Sequence, residues 1–187
     1  MIELSPHRLS LSTGIEMDAF TAGDPKNPAI IFLHGFPESH RTWRHQIAHF
    51  ADRFYCIAPD QRGYRGTSKP QAVDGYTADK LTADIFALAD ALHVQQFIIA
   101  GHDWGGAIAW SVALNGQPDA PNPAWAGRVT CAVIANAPHP YLFQRLLITD
   151  MNQRASSQYM IDFRDTANDA LVQDQGLTGL MLKTVKW

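Results

Sequence analysis

The sequence predicts an α/β protein whose mostly parallel sheet is flanked by helices. Four apolar runs, at residues 29–33, 54–58, 97–100 and 129–134, have the continuous hydrophobicity expected of strands that are covered on both faces. Helical patterns separate these runs, and strands that alternate with helices are typical of a parallel sheet. The chain has 187 residues, of which 46% are hydrophobic and 18% charged, which suits a globular fold with a substantial core.

Two alternating segments precede the first apolar run. Residues 8–12 and 15–20 alternate polar with apolar side chains on either side of Gly14. A period of two about a glycine is typical of a half-buried antiparallel pair joined by a tight turn. We therefore expect an antiparallel pair to open the fold.

Three helices are predicted along the same stretch, at residues 39–50, 77–92 and 104–114. The second has Thr77 as its predicted N-cap, and its apolar side chains recur at three- and four-residue spacing at Leu81, Ile85, Leu88 and Leu92. Residues 115–127 are rich in Pro, Gly and Asn and are predicted to form a loop.

The pattern changes after Pro140. Helix-like stretches at 141–149 and 156–164 follow, without another apolar strand run. We expect residues 1–138 to form part of a sheet-containing core and residues 139–187 to begin a helical segment. The last strands of the sheet are expected to be missing, and the chain is expected to be an N-terminal portion of a longer protein.

Composition and charge argue against several classes of protein. The net charge of −3 gives no basic surface for nucleic acid, and no run of 18 apolar residues is present to span a membrane. The N-terminus lacks the basic and apolar regions of a signal peptide. Cys56 and Cys131 lie in apolar runs and are expected to be buried thiols, not a disulfide or a metal site. We therefore expect a cytoplasmic protein.

The strongest functional signal is the sequence GHDWGG at residues 101–106. An apolar run leads into it and a helical run leads out, which is the setting of a nucleophile elbow, where a sharp turn lifts a reactive side chain into the active site. Asp103 occupies the nucleophile position. A carboxylate there favours attack on an alkyl carbon over acyl transfer. The alternative is that Asp103 only caps the following helix.

A second motif, HGFPES at residues 34–39, follows the first apolar run. A nucleophile elbow takes one oxyanion donor from the residue after the nucleophile and another from such a loop. The backbone N–H groups of Phe36 and Trp104 are therefore predicted to form an oxyanion hole. The residues predicted to support this loop are His34, Gly35 and Pro37. We expect His34 to do so through hydrogen bonds, in preference to acting as a base.

A third motif, DQRGYRGTSKP at residues 60–70, follows the run at 54–58. Its glycines and charges predict an ordered loop at the carboxyl edge of the sheet. We expect Asp60 and Arg62 to pair with each other and brace the site, in preference to contacting substrate.

These three motifs, in this order, resemble the α/β-hydrolase fold, and within it the branch with an aspartate nucleophile, which contains epoxide hydrolases and haloalkane dehalogenases. The resemblance covers nearly the whole chain and implies that residues 139–187 begin a helical cap. It also implies that Asp103 forms an alkyl-enzyme ester, whose carbonyl is then attacked by water that a histidine activates. No cofactor is implied.

The resemblance favours an epoxide over an alkyl halide. Residues 155–164 are similar to the first cap-tyrosine segment of epoxide hydrolases, which implies that Tyr159 donates a proton to the opening epoxide. The alternative for Tyr159 is an aromatic that only packs a cap helix. Many dehalogenases have Asn where this chain has Phe36. Fluoroacetate dehalogenases, a third group, have Arg at the positions of Trp104 and Ala107. The expected partner is therefore a small apolar epoxide, with an alkyl halide as the alternative.

The base and the acid of the resembling enzymes have no evident counterpart in this chain. The only histidine after Asp103 is His139, which matches no base motif, and Asn136 lies where the acid can occur. We expect the 187-residue chain to form the ester and not to turn over. A catalytically incomplete remnant or a binding protein remains the alternative from another class.

Overall fold

A computed structural model describes residues 3–184, and its central feature is a six-stranded sheet. The strands are β1 Ser5–Ser10, β2 Glu16–Ala22, β3 Ala29–Leu33, β4 Tyr55–Pro59, β5 Phe97–His102 and β6 Val129–Ala135. They lie in the order β1-β2-β4-β3-β5-β6. β2 is antiparallel to both β1 and β4, and the remaining pairs are parallel. The predicted mostly parallel sheet with an antiparallel opening is confirmed.

Helices follow the strands as the periodicity predicts. They are α1 Arg44–Phe50, α2 Ala78–Ala91 and α3 Trp104–Gly116. Short 3₁₀ turns at His40–Trp43 and Val73–Tyr76 precede α1 and α2. The first turn takes the place of the beginning of the helix that was predicted over 39–50.

The sheet has an apolar layer on each face, because alternate side chains of a strand point in opposite directions. Ile31 packs with Ile85 of α2 and Ile108 of α3 in one buried cluster. Phe32, the next residue along β3, packs with Ile47 of α1 in a second cluster. α2 and α3 therefore cover one face of the sheet, and α1 covers the other.

The strand register brings two loops together at the carboxyl edge of the sheet. β3 and β5 are neighbours, and the last residue of β3, Leu33, pairs with Gly101 near the end of β5. The loop that follows Leu33 and the turn that follows His102 therefore leave the sheet side by side. These are the two loops in which the sequence predicts the nucleophile and an oxyanion donor.

β6 was predicted to be covered on both faces, and its Cys131 to be buried. Both predictions are wrong. Most of the strand is exposed, with Val133 at 55% and Cys131 on the surface. Within residues 3–184, β6 pairs with β5 alone and forms an edge of the sheet, so it lacks a neighbour on its other side. Cys56, in the interior strand β4, is fully buried as expected.

The chain divides into two compact units between Ala137 and Pro138. The second unit is helical and contains α4 Pro140–Thr149, α5 Met151–Ser156, α6 Gln158–Asp162 and α7 Ala167–Thr184. α7 is kinked at Gly176, where φ is 67°. No helix among the described residues of either unit combines the length and hydropathy needed to cross a membrane.

Candidate active site

Asp103 occupies a single-residue turn between a strand and a helix. β5 ends at His102 and α3 begins at Trp104, so Asp103 alone reverses the chain direction. Its φ of 54° and ψ of −122° lie in a region that residues with a side chain rarely adopt, at a cost of about 1–3 kcal/mol. Its backbone N–H donates to the carbonyl of Ala135 over 3.2 Å, which ties the turn to β6. This is the local geometry of a strained nucleophile elbow.

The close approach of neighbouring backbone requires glycine on two sides of this turn. A Cβ on Gly105 would lie 2.3 Å from the carbonyl oxygen of Leu33 and 2.4 Å from that of His34. A Cβ on Gly35 would lie 2.6 Å from the Cβ of Asp103. The glycines of the two motifs therefore let the start of α3 and the loop after β3 pack directly against each other.

The carboxylate of Asp103 is held by the second motif. The backbone N–H of Phe36 donates to Oδ1 of Asp103 over 3.0 Å. Asp103 stands at the N-cap position of α3, yet its side chain makes no capping hydrogen bond there. The side chain of Asp103 therefore does not cap α3, which was the alternative role.

Trp104 is the first residue of α3, and its side chain is 40% exposed. The N–H groups of the first helical turn have no acceptor within their own helix. The helix dipole also places partial positive charge at this end, where a carboxylate or an oxyanion is stabilised. A role for the Trp104 N–H as the second oxyanion donor stays a prediction.

His34 is fully buried and fixes the loop after β3. Its Nδ1 lies 2.9 Å from the carbonyl oxygen of Gly35, and its Nε2 accepts from the backbone N–H of Gln61 over 3.1 Å. This pattern is that of a neutral imidazole with its proton on Nδ1. Burial lowers the pKa of His34, which also favours the neutral form. These contacts agree with the supporting role predicted for His34, and that role stays a prediction. The peptide bond between Phe36 and Pro37 is cis.

Two polar residues close to the turn at Asp103, Glu38 and His102, were not singled out from the sequence. Glu38 accepts from the backbone N–H of Gly35 over 3.0 Å, and the same oxygen lies 3.4 Å from Nδ1 of His102. Nδ2 of Asn136 lies 3.5 Å from the other ring nitrogen of His102. Glu38 and His102 belong to the HGFPES and GHDWGG motifs. Their place in these motifs was the one sequence feature that could have identified them as residues of the site.

Tyr64 adds an aromatic ring to the same region. Its ring packs edge-on against His34 with the centroids 4.6 Å apart. Burial, together with the negative charges of Asp103 and Glu38, raises the pKa of Tyr64 to about 12. The phenol therefore stays protonated at neutral pH. Tyr64 thus places a neutral hydroxyl within the electrostatic reach of Asp103.

The predicted pair of Asp60 with Arg62 is wrong. Arg62 instead donates to both carboxylate oxygens of Asp84 on α2, over 2.8 and 2.7 Å. Asp60 accepts from the backbone N–H of His40 over 2.8 Å and lies 3.0 Å from the His40 ring nitrogen. The side chains diverge because each finds a buried partner on a different element. The third motif is therefore anchored at two separate points, and its role in bracing the site stays a prediction.

Tyr159 lies in α6 of the second unit and is half-buried. Its ring packs edge-on against Phe163 with the centroids 5.5 Å apart. His139 caps α4, where its Nδ1 accepts from the backbone N–H of Tyr141 over 3.3 Å. A capping role is consistent with the absence of a base motif around His139. The proton-donor role of Tyr159 stays a prediction.

No group of three or more His, Cys, Asp or Glu side chains within residues 3–184 is arranged to hold a metal ion. The chemistry that this site offers is that of a carboxylate on a strained turn, with a backbone N–H already directed at it. Such a carboxylate can attack carbon, and the same N–H can stabilise negative charge on the resulting ester carbonyl.

Comparisons with known proteins agree with this description. A family model described as the alpha/beta hydrolase fold matches residues 28–174. Epoxide hydrolase A of Mycobacterium tuberculosis (strain ATCC 25618 / H37Rv) is 42% identical over 108 residues, which is 57% of this chain and 34% of that protein. Epoxide hydrolase 1 of Caenorhabditis elegans is 36% identical over 143 residues, which is 76% of this chain and 33% of that protein.

Solved structures give the same result. One, described as a novel epoxide hydrolase of the alpha/beta hydrolases superfamily from metagenomes of hot environments, is 60% identical with a TM-score of 0.91. The match covers 100% of this chain and 60% of that one. A mutant epoxide hydrolase from Bacillus megaterium is 30% identical with a TM-score of 0.81, over 94% of this chain and 57% of that one. The chain thus spans about a third of the two curated relatives, at 33% and 34% of their lengths.

Proposed function

This chain belongs to the alpha/beta hydrolase fold family, and from that premise we propose that it is the nucleophile-bearing part of an epoxide hydrolase, which converts small apolar epoxides to vicinal diols. One observation carries the proposal. The carboxylate of Asp103 sits on a strained turn and accepts from the backbone N–H of Phe36, and it does not cap its own helix. The similarity to epoxide hydrolases supports the choice of substrate class.

The first step is alkylation of the nucleophile. An oxygen of Asp103 attacks a carbon of the epoxide ring and forms a C–O ester bond, while the C–O bond of the ring breaks. The ring oxygen leaves as an alkoxide and takes the phenolic proton of Tyr159. A positioned acid is needed here because an unprotonated alkoxide is a poor leaving group.

The second step releases the diol. Water attacks the ester carbonyl carbon, which is the Cγ of Asp103, and the carbonyl oxygen becomes an oxyanion that the N–H groups of Phe36 and Trp104 stabilise. Each such donor is worth about 3 kcal/mol in the transition state. A general base has to take a proton from the water. His139 is the only histidine after Asp103 and caps a helix, so we expect these 187 residues to accumulate the ester.

The test is to incubate the chain with styrene oxide and to map the adduct by peptide mass spectrometry. We expect one styrene oxide on the peptide that contains Asp103, and none there in Asp103→Asn, which keeps the shape and the acceptor oxygen of the side chain. A longer protein that contains this chain should release phenylethanediol.

Two results would overturn the proposal. If styrene oxide left Asp103 unmodified but 1-chlorobutane alkylated it, with release of one chloride for each ester formed, the chain would be assigned to a haloalkane dehalogenase instead. If neither styrene oxide nor 1-chlorobutane modified Asp103, the chain would be assigned as a remnant or a binding protein. Adducts on other side chains would not count as support, because epoxides also alkylate exposed thiols such as Cys131.

A further inference from the structure

We propose that Gln61 is a positioning residue for the oxyanion hole, and that it acts on hydrolysis of the ester more than on its formation. The inference deepens the proposed function and rests on it. Gln61 touches neither Asp103 nor Phe36 in the hydrogen bonds described above. It acts instead through His34, whose backbone and ring it holds at separate points.

The peptide group between His34 and Gly35 is held at both ends. The side-chain amide of Gln61 donates to the His34 carbonyl oxygen over 2.6 Å. On the other side of this peptide plane, the N–H of Gly35 donates to Glu38 over 3.0 Å. With both polar atoms bonded, rotation of this peptide plane would break two hydrogen bonds.

The next peptide group carries the oxyanion donor. Its carbonyl oxygen, that of Gly35, accepts from the backbone N–H of Glu38 over 3.0 Å and lies 2.9 Å from Nδ1 of His34. Its N–H is that of Phe36, which points at Asp103. The direction of this N–H is thus set by the His34 ring and by the preceding peptide plane. Gln61 fixes both, through its backbone N–H and its side-chain amide.

Gln61 is itself a rigid support. It is 2% exposed, and its two neighbours in the chain are anchored. Asp60 is bound by His40, and Arg62 is bound to Asp84. The Gln61 amide therefore has little freedom to follow a displaced His34 carbonyl.

The two chemical steps depend differently on this support. During alkylation the Asp103 carboxylate loses negative charge. A well-aligned Phe36 N–H therefore stabilises the transition state of this step no more than it stabilises the carboxylate of the free enzyme. During hydrolysis negative charge develops on the carbonyl oxygen, and the energy of a hydrogen bond to it falls steeply as the angle worsens. A loosened Phe36 N–H should therefore slow the second step selectively.

The test uses Gln61→Met, which keeps the length of the side chain and the backbone N–H but removes the amide donor. The matched control is Gln96→Met. Gln96 also donates its amide to a backbone carbonyl, that of Gly127, over 3.0 Å, but it precedes β5 at the end of the strand opposite Asp103. The styrene oxide ester is formed on the chain, excess epoxide is removed, and decay of the adduct is followed by intact mass with imidazole added as external base.

We expect Gln61→Met to form the ester within about twofold of the wild-type rate and to lose it about tenfold more slowly. Gln96→Met should match the wild type in both. Equal decay in Gln61→Met and wild type, or equal slowing of formation and decay, would overturn the inference. A wild type that forms no ester on Asp103 would instead overturn the proposed function, and this inference with it.

Gln61→Glu gives a second, pH-dependent readout if Gln61→Met folds poorly. An ionised carboxylate at this position has no proton to donate to the His34 carbonyl, whereas a protonated carboxyl has one. The decay rate of this variant, divided by that of wild type at the same pH, should therefore rise as the pH falls from about 8 to about 5. A flat ratio across this range would count against the inference, since decay would then not depend on whether residue 61 has a proton to donate.

Discussion

The backbone N–H of Phe36 donates to Oδ1 of Asp103 over 3.0 Å, so one element of the predicted oxyanion hole directly contacts the proposed nucleophile. In the proposed ester, Asp103 would present that oxygen to the same donor without rearrangement. Donors that are fixed before charge develops cost no reorganisation in the transition state. The strained turn and the loop after β3 therefore act as one preorganised unit.

The role proposed for Tyr159 predicts a selective loss of the alkylation step. Tyr159→Phe keeps the ring that packs against Phe163 and removes the phenolic proton. We expect formation of the ester from styrene oxide to slow roughly 100-fold or more, because a positioned general acid contributes about that much. Intact mass spectrometry over time measures the rate.

Tyr141→Phe is the matched control, since Tyr141 also belongs to the second unit and is 66% exposed. It should alkylate at the wild-type rate. If Tyr159→Phe did so as well, Tyr159 would be a packing aromatic, which is the alternative that the sequence left open.

The buried ion pair between Arg62 and Asp84 predicts a large loss of stability when one partner is removed. The two side chains are 6% and 1% exposed, and Asp84 also accepts from the hydroxyl of Thr13 over 2.6 Å. Asp84→Asn leaves a buried guanidinium without a countercharge, which should lower the free energy of unfolding by about 3–5 kcal/mol. Urea denaturation monitored by fluorescence measures this value.

Asp52→Asn provides the comparison for that experiment. Asp52 pairs with Arg53 over 3.4 Å, but these side chains are 73% and 57% exposed. Its loss should change the free energy of unfolding by less than about 0.5 kcal/mol. Similar effects of the two variants would mean that the Arg62–Asp84 pair does not brace the third motif.

Asp60 predicts a pH dependence of stability. Burial alone would raise the pKa of Asp60, but hydrogen bonds from the ring and the backbone N–H of His40 outweigh it, so that the pKa is lowered. A carboxyl with a lowered pKa in the folded state stabilises the fold above its unfolded pKa of about 4, and this contribution disappears as the pH falls through the folded value. Asp60→Asn should thus be less stable than wild type at about pH 6, and the difference should shrink below about pH 4.

The measurement for Asp60 is urea denaturation at a series of pH values. Asp119→Asn removes an exposed carboxylate and should follow the wild-type pH profile. A difference between Asp60→Asn and wild type that stayed constant down to low pH would show that the His40 contacts do not depend on ionisation of Asp60.

Short-range patterns in the sequence were sufficient to predict the strands of the sheet and to place Asp103 on a turn between a strand and a helix. Continuous apolar runs and glycines have a direct structural cause, since covered strands need apolar side chains on both faces and close backbone contacts exclude a Cβ. The run at 129–134 was predicted to be covered on both faces, whereas β6 lies at an edge of the described sheet, in line with the expectation that the last strands are missing.

The pairing of charged residues needed the tertiary structure. Asp84 is 22 residues from Arg62 and is buried in α2, and no local pattern pairs two residues that far apart. The role of Gln61 was likewise hidden, because it depends on the direction of single peptide groups. Directions of this kind follow from the packing of β3, β5 and the loop after β4, and not from the local sequence.

Gly35→Ala tests the preorganised unit most directly. A Cβ at this position would lie 2.6 Å from the Cβ of Asp103 and 2.8 Å from its Oδ1, so that either the nucleophile or the loop has to move. A misplacement of about 1 Å is enough to cost roughly 100-fold in rate. We therefore expect alkylation of Asp103 by styrene oxide to slow by about that factor.

The control for Gly35→Ala has to separate displacement of the site from loss of stability. Gly14→Ala does so, because Gly14 has a φ of 78° with no atom within 4 Å of the added Cβ, in the turn between β1 and β2. Its backbone strain should lower the free energy of unfolding by about 1 kcal/mol and leave alkylation unchanged. Equal alkylation by Gly35→Ala and Gly14→Ala in folded protein would mean that the contact of Gly35 with Asp103 does not set the position of the nucleophile.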